Sequence, residues 1–582
     1  MSADRPLWVQ SDRTILFEVG HPLGAEVQEF LPRFAELEKS PERFHTYRIT
    51  PLSLWNAAAV GVTAEQVLSF LARMSRETPP QNVLHDIGDF LRRYGLLRLV
   101  RRPAGLTLES GEPKLLDELA QSGVLSDWTV GREPDGAVVL KDLARGEVKQ
   151  TLLKLGYPVD DIAGYTAGAP FAFKLRDTTK RGGSFVVRPY QKLAADLFHA
   201  GGSERGGSGV IVLPCGAGKT VVAMAVMERL QCATLVLTTN TVAVRQWKSE
   251  LIDKSGIAPD EIGEYTGDRK EIRPVTISTY QILTHRRQKD VAPFTHFGLF
   301  AAKDWGLIVY DEVHLLPAPV FRASADLQAR RRLGLTATLV REDHREEDVF
   351  SLIGPKRFDM PWKELEQLGW IAEANCLEVR VAFPPDQRLH YLAQNSREQF
   401  RLASENEEKF AALERILAMH PNDHVLVIGQ YLDQIERMAA RIKAPLIVGK
   451  TPTVERERLY KDFKEGRIPV LVVSKVGNFA IDLPDANVAV QVSGTFGSRQ
   501  EEAQRLGRIL RPKHNGAPAT FYTLVSRNTK EEECAERRQR YLTERGYTYR
   551  ICSQGEIPLP RTVSSVTAAA ASGSVPPNGA VA

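Results

Sequence analysis

The sequence predicts an α/β protein: two tandem doubly wound parallel-sheet domains, preceded by a mainly helical N-terminal domain and a small mixed α+β domain. Three observations predict it. Short apolar runs recur from residue 209 onward, "GVIVL", "ATLVL", "VTIS" and "GLIVY", each leading into a polar loop or a helix. Strands covered on both faces read this way, because neither face has to be polar. The pattern restarts after residue 420 with "HVLVIG", "PLIV", "PVLVV", "NVAVQV" and "ATFYTLV", which implies a second domain of the same class. The chain, at 582 residues, is also far longer than one hydrophobic core can organise.

Taken in order, residues 1–105 open on a strand, "TILFEV", and continue as amphipathic helices. "AAAVGVTAEQVLSFLARMS" has apolar residues at helical spacing with Thr63 placed as its N-cap, and "QNVLHDIGDFLRRYGLLRLV" is a second such helix running into a strand. Residues 106–180 are mixed, their short elements broken by Gly, Asp and Pro, and form a candidate DNA- or damage-binding domain. The two α/β domains are expected over 181–360 and 361–550. A basic-then-acidic helix pair at 384–410 interrupts the second. The tail 556–582 is small, polar and Pro/Gly-rich, a disordered composition.

Hydrophobic residues make up 43% and charged residues 25% of the chain, as in ordinary soluble proteins. A net charge of +4 does not announce a nucleic-acid binder, although a groove can be basic while the total nearly balances. The five cysteines form no CxxC pair, which argues against disulfides and zinc. There is no signal-peptide pattern and no run of about 18 apolar residues, so a soluble cytoplasmic protein is expected.

Chemistry enters at "VIVLPCGAGKT" (210–220), where a glycine-rich turn separates an apolar strand from a helix. In the turn Pro214-Cys215-Gly216-Ala217-Gly218, the glycines let backbone N–H groups approach a phosphate at a helix N-terminus. Lys219 would reach the β- and γ-phosphates, and the Thr220 hydroxyl would bind Mg²⁺. Leu213 stands where the common formula has glycine, and a plain tight turn before a helix is the alternative.

"WGLIVYDEVH" (305–314) is a buried strand ending in two carboxylates: Asp311 suits a metal, Glu312 suits polarising an attacking water. A solvated acidic turn is the bland reading. In "SRQEEAQRLGRILRPK" (498–513), Arg505, Arg508 and Arg511 recur every three residues and share a helix face. That face is either simply solvated or turned toward the first domain's phosphates to stabilise transition-state charge. Gln191 and Arg188 of "VVRPYQ" are candidates for the adenine edge and its support.

The ordered set "RPYQ", "GAGKT", "TTNTVAVRQW", "ISTYQIL", "DEVH", "GLTATLVRED", "SKVGNFAIDLP" and "QRLGRILR" resembles the superfamily 2 helicases. More closely it resembles the XPB helicases, the family of the DNA-opening ATPase in the eukaryotic factor TFIIH. The residues that carry this are "LPCGAGKT", "DEVHLLPAPVFR", the triplet Arg341-Glu342-Asp343, and "SKVGNFAIDLPDANVAVQVS" running into "GSRQEEAQRLGRILR". Upstream, "RPLWVQSDRTILFE", "YRITPLSLWNAAAVGV" and "VKQTLLKLGYPV" extend the likeness to roughly residues 5–545. Asn478 departs from the pattern, standing where an acidic residue is expected after "KVG". The long acidic insert and extended termini of eukaryotic members are missing, so a compact bacterial-type protein is expected.

The resemblance implies two RecA-like helicase domains that hydrolyse ATP with Mg²⁺ and track DNA 3′ to 5′, in DNA repair. It implies Asp482 and Arg505 at the nucleotide, and His314, Thr336, Thr338 and Gln504 in coupling. It makes the Arg341-Glu342-Asp343 triplet a duplex-opening element; whether Arg341 touches DNA or pairs with a neighbouring carboxylate is open. Backbone tracking needs phosphate contacts, for which Thr239, Asn240, Arg245, Gln246, Ser474 and Lys475 are candidates. A thumb-like DNA grip over 384–410 would use Arg388, Arg397 and Arg401. DNA is the expected partner, with a nuclease or repair protein as a further candidate, and a nucleoid-associated monomer is expected. The rivals are a duplex translocase that never separates strands, a DNA-binding scaffold with a vestigial ATPase, and an RNA motor. Arg341→Ala separates the first: it is expected to abolish unwinding of forked DNA and spare ATP hydrolysis, measured side by side.

Overall fold

The computed structural model describes residues 5–39, 43–203, 206–285, 295–316, 320, 330–337, 346–474, 486–494, 505–507, 509, 518–544, 547 and 549–556. The N-terminal sheet holds β1 (Leu7–Val9), β2 (Thr14–Glu18), β3 (Glu36–Lys39) and β4 (Phe44–Arg48), antiparallel in the order β1-β2-β4-β3. The region is therefore less purely helical than its periodicity predicts, because its charged strands ("ELEK", "FHTYR") show no apolar alternation. Helices Pro51–Ala59, Ala64–Met74 and Gln81–Arg93 share one core with this sheet. Thr63 caps Ala64–Met74 in a reciprocal capping box with Gln66.

A second small sheet comes next in the chain, β5 (Leu97–Arg102), β6 (Gly105–Ser110), β7 (Thr129–Arg132), β8 (Val138–Leu140) and β9 (Val159–Asp161), in the order β7-β8-β6-β5-β9. The hairpin β5–β6 runs across residue 105, so the division expected there falls inside a paired unit, and the two sheets meet before Leu97. Both small units dock on the first doubly wound domain. Asn56 accepts the Lys356 backbone N–H at 2.6 Å, and Gln150 donates to Asp348 at 2.9 Å.

The first doubly wound sheet has seven strands: β10 (Ser208–Val212), β11 (Thr234–Thr238), β12 (Ile262–Tyr265), β13 (Val275–Thr279), β14 (Leu307–Asp311), β15 (Arg331–Thr336) and β16 (Lys356–Asp359). All pairs are parallel, in the order β12-β13-β11-β14-β15-β10-β16. Ordering β14, β15 and β10 side by side brings their carboxyl ends together, where open parallel sheets bind ligands.

The second sheet repeats the design with β17 (Ala374–Val381), β18 (Val425–Gly429), β19 (Leu446–Ile447), β20 (Val470–Ser474), β21 (Val488–Gln491), β22 (Ala519–Ser526) and β23 (Tyr549–Ser553). Its order is β19-β20-β18-β21-β22-β17-β23, again all parallel. Between β17 and the core helix Glu408–Met419 lie two short helices, Arg388–Leu392 and Ser396–Ser404. They are pinned to the helix Lys530–Glu544: Tyr391 Oη accepts the Lys530 N–H at 2.7 Å, and Phe400 is buried. Lys409 and Glu531, both fully buried, pair at 2.7 Å, and the ammonium also donates to Val492 O at 2.9 Å. Among the described residues no helix is long and apolar enough to cross a membrane.

One buried ionic cluster ties the second small sheet together. Asp161 accepts from Arg145 at 2.7 Å and Lys149 at 3.0 Å. Burial alone would push the Asp161 carboxyl up, but Arg145 and Lys149 outweigh it and hold it well below its ordinary range. Asp161→Ala would strand two buried cations, an expected loss of about 3–5 kcal/mol, read as a lower thermal unfolding midpoint. Because the folded value is depressed, this stabilisation is complete above the unfolded aspartate value near about 4 and is lost as pH falls below it. A thermal-midpoint series against pH should therefore converge for wild type and variant at the acid end.

Candidate active site and nucleic-acid interface

The site begins where β10 stops. Leu213, at the position where glycine was expected, is buried and extends the strand by donating its N–H to Thr336 O at 2.9 Å. The turn then opens through Gly216 and Gly218, with φ of +82° and +80°. A side chain at Gly218 would have its Cβ 2.4 Å from Gln191 Nε2, so the position is closed to other residues. The helix Lys219–Leu230 starts there, putting Lys219 and Thr220 in its first turn. Pro214 and Ala217 are buried, and Cys215 is half-buried.

Lys219 Nζ lies 3.4 Å from Glu312 Oε1 and 3.5 Å from Leu213 O. Burial would lower the ammonium, but Glu312, with Cys215 and Asp311, holds it above its ordinary value. At that separation an effective dielectric of about 20 gives an attraction of about 4–5 kcal/mol, which explains why desolvation loses. Asp311 is pushed up to about 6 by burial and by the neighbouring Glu312 charge, against the lowering effects of Trp247 and Lys219. Glu312 itself takes the left-handed backbone conformation, φ +52°, a strained state that non-glycine residues keep chiefly at functional sites. His314, buried behind it, sits 3.4 Å from Glu312 Oε2 and 2.7 Å from Thr336 Oγ1 through Nδ1. The histidine thus physically spans the carboxylate and the strand end expected to couple with it.

Two aromatic donors that sequence reading passed over hold Asp311. Trp247 Nε1 donates to Asp311 Oδ2 at 2.8 Å, and Tyr280 Oη donates to the Asp311 carbonyl at 2.8 Å. Both lie within quoted motifs, "TTNTVAVRQW" and "ISTYQIL". An apolar ring at helical spacing reads as core, so only the fold shows the polar end at work.

Several expected residues are placed differently from their reading. Gln191 is buried with both amide ends engaged: it donates to Ala217 O at 2.9 Å and accepts the Arg188 N–H at 3.0 Å. It braces the phosphate turn together with Tyr190, whose Oη donates to the same Ala217 carbonyl at 2.6 Å. The Arg188 guanidinium lies 4.6 Å from the Trp370 ring centroid, spanning the two sheet domains. Asn240 caps the helix Thr241–Lys254, accepting from Val242 and Ala243 N–H at 3.0 Å each, so its oxygen is committed to orphan helix donors. Ser474 is 2% exposed, out of reach of a strand on the surface. Arg505 is fully buried and donates to Gln491, because the adjoining Leu506 and Ile509 draw this turn into the core.

Arg245 is exposed and pairs with Glu457 of the second sheet domain, with Gln246 half-buried beside it and Thr239 half-buried at the strand end. Arg397 is exposed; Arg388 stacks on Tyr391 at 5.3 Å; Arg401 is held by Glu405 at 3.1 Å and Glu398 at 3.8 Å. Thr338, Arg341, Glu342, Asp343, Lys475, Asn478, Asp482, Gln504, Arg508 and Arg511 lie outside the described residues.

The two sheet domains meet over the phosphate turn. A Cβ added at Gly507 would lie 2.4 Å from Cys215 Cβ, so Gly507 of the second sheet domain lies directly against the turn. For a cation, Thr220 and Asp311 supply hard oxygen donors near the Lys219–Glu312 pair. Among the described residues no group of three or more His, Cys, Asp or Glu could hold a metal alone. Few protein oxygens completed by phosphate and water is the habit of Mg²⁺, and the residues present fit it.

Comparison with known proteins agrees with this geometry. Residues 365–565 match a family model described as ERCC3/RAD25/XPB C-terminal helicase. Residues 184–341 match one described as type III restriction enzyme, res subunit, and residues 7–133 one described as helicase conserved C-terminal domain. The chain is 53% identical to the DNA 3'-5' helicase XPB of Kineococcus radiotolerans, over 95% of this chain and 97% of that one. It is 54% identical to the DNA 3'-5' helicase XPB of Mycobacterium tuberculosis, over 94% and 98%. Identity is 34% to the general transcription and DNA repair factor IIH helicase/translocase subunit XPB of Encephalitozoon cuniculi, over 94% and 82%. Likeness at this level along nearly the whole length of both bacterial relatives places the chain in the XPB helicase family.

Proposed function

We propose that this chain is an ATP-dependent 3′–5′ DNA helicase of the XPB type, coupling Mg²⁺-dependent hydrolysis of ATP to the opening of DNA in repair. The observation that carries the reading is the convergence, at the carboxyl ends of β14 and β10, of Lys219 with Glu312 at 3.4 Å and of the Gly507 backbone on Cys215. A phosphate turn and a catalytic carboxylate on one domain, with Gly507 of the other lying against the turn, make hydrolysis depend on domain closure.

In this reading Gly216 and Gly218 present backbone N–H groups to phosphate and Lys219 holds its β- and γ-oxygens. Thr220 and Asp311 would hold Mg²⁺, which supplies neutralising charge when bound. Glu312 orients the attacking water, and Lys219 pairs with that carboxylate at 3.4 Å until substrate phosphate draws the ammonium away. Arg508 and Arg511 enter from the second domain to stabilise charge on the transferring group. His314, between Glu312 and Thr336, relays the state of the carboxylate to the turn that leads into Thr338 and the Arg341 triplet. Residues 1–96, 97–165, 166–360 and 361–556 form the units, the first two modulating the motor. Arg245, Arg388, Arg397 and Lys475 bear on the DNA backbone. DNA is the expected track because the bacterial relatives it resembles at 53% and 54% identity are named DNA helicases.

The central test is ATP hydrolysis with Mg²⁺, with and without single-stranded, forked or duplex DNA or RNA. Glu312→Gln is expected to lower it by about 10²–10⁴-fold while nucleotide binding persists. Stimulation by forked or single-stranded DNA supports a helicase, and stimulation by duplex alone supports a translocase. Stimulation by RNA alone, or no hydrolysis under any condition, overturns the reading.

Acid should also disarm the enzyme. Asp311 must be ionised to hold a cation, and its carboxyl sits at about 6. The rate is therefore expected to fall as pH drops through about 6, and raising Mg²⁺ should move this acid limb lower, since metal and proton compete for one carboxylate. A pH profile of kcat/KM at two Mg²⁺ concentrations measures it.

A further inference from the structure

The bond between Trp247 and Asp311 joins two parts of the molecule that the proposed function treats separately. Trp247 is 2% exposed, and an indole has one N–H and no acceptor. That proton goes to Asp311 Oδ2 at 2.8 Å, its one hydrogen bond among the described residues. Bulk solvent does not reach so buried a ring, so the bond is either made or lost outright.

The helix that carries Trp247, Thr241–Lys254, is fixed at its start by the Asn240 cap and on its flank by Lys248, paired with Glu264 at 2.8 Å. Arg245 on the same helix reaches Glu457 of the second sheet domain. Two residues along a helix turn through about 200°. Arg245 therefore faces the opposing domain while Trp247 faces the strand end, and a displacement of one moves the other. Tyr280, from the segment after β13, holds the Asp311 carbonyl at 2.8 Å, so the residue's backbone stays put while its carboxylate answers to the indole.

We infer that Trp247 is a positioning residue that links the helix facing the second sheet domain to the metal carboxylate. It fixes Oδ2 of Asp311, leaves Oδ1 for the cation, and makes Mg²⁺ affinity depend on where the helix sits. The inference rests on the reading of Asp311 as the Mg²⁺ ligand. A donor of this kind orients a ligating carboxylate without touching the metal, and its loss costs metal affinity more than it costs the site's shape.

The test uses the full chain with Trp247→Phe, which keeps the ring and removes the N–H. Binding of a fluorescent ADP analogue is titrated against Mg²⁺, and the ratio of DNA-stimulated to DNA-free ATP hydrolysis is measured in parallel. The expected result is an Mg²⁺ requirement for tight ADP binding raised about tenfold, with metal-free ADP affinity unchanged and the stimulation ratio reduced. An Mg²⁺ response and a ratio equal to wild type overturn the inference. So does an equal loss of metal-free and metal-bound affinity, which is what a merely structural role gives. Trp247→Tyr, also without a ring N–H, is the second variant; failure of both to fold likewise overturns it. A wild-type chain whose ADP binding ignores Mg²⁺ overturns this inference together with the reading of Asp311 beneath it. A Mg²⁺-dependent wild type with an indistinguishable variant overturns this inference alone.

Discussion

Two carboxylates on consecutive residues at the end of a buried parallel strand repel each other and lose hydration, and the rest of the site is organised around making that tolerable. Lys219 comes from the end of β10 and meets Glu312. Trp247 and Tyr280 come from elements next to β11 and β13 and hold the two ends of Asp311. His314 backs Glu312 and ties it to Thr336. His314 follows β14 itself, but Lys219, Trp247, Tyr280 and Thr336 are each delivered by another strand, so the strand order β13-β11-β14-β15-β10 is itself the condition for the site. A shuffled order would leave the same residues in the sequence and separate them in space.

The second constraint is that the site is unfinished on one domain. Gly507 lies against the Cys215 side chain so closely that a Cβ at 507 has no room. Arg188 stacks on Trp370, and Arg245 pairs with Glu457. An aromatic contact, an ion pair and a backbone contact are individually weak and exposed ion pairs weaker still. A joint made of such contacts can open and close without unfolding either core, as a motor requires. The cores themselves are held by stronger means, such as the Lys409–Glu531 pair beneath the end of β21.

The accessory parts show the same division of labour. The two short helices before Glu408–Met419 are fastened to Lys530–Glu544 through Tyr391 and Phe400, which leaves Arg397 outward on an anchored base. The small N-terminal sheets reach the first sheet domain through contacts that include Asn56 to Lys356, the Ala59 carbonyl to Arg357, Gln150 to Asp348 and Tyr165 under Arg332.

Much of this was legible in the chain. Apolar runs with no alternation marked the parallel sheets, because buried strands need no polar face, and the phosphate turn and "DEVH" marked two elements that the fold brings together. The Thr63 cap was legible for the same reason: its chemistry is local, three residues from donor to acceptor. Periodicity was blind to the charged strands Glu36–Lys39 and Phe44–Arg48 and to the hairpin across residue 105, since pairing there is set by partners and not by pattern. It was blind also to side chains that turn inward. Gln191, Asn240 and Arg505 read as ligand contacts, and in the fold each also bonds a polar group of the protein nearby. Residue types and their spacing determined by themselves what chemistry this chain can perform. Which polar atoms are left free to perform it was decided only by the tertiary structure, because a buried donor or acceptor takes the nearest partner in space, and that partner is distant in sequence.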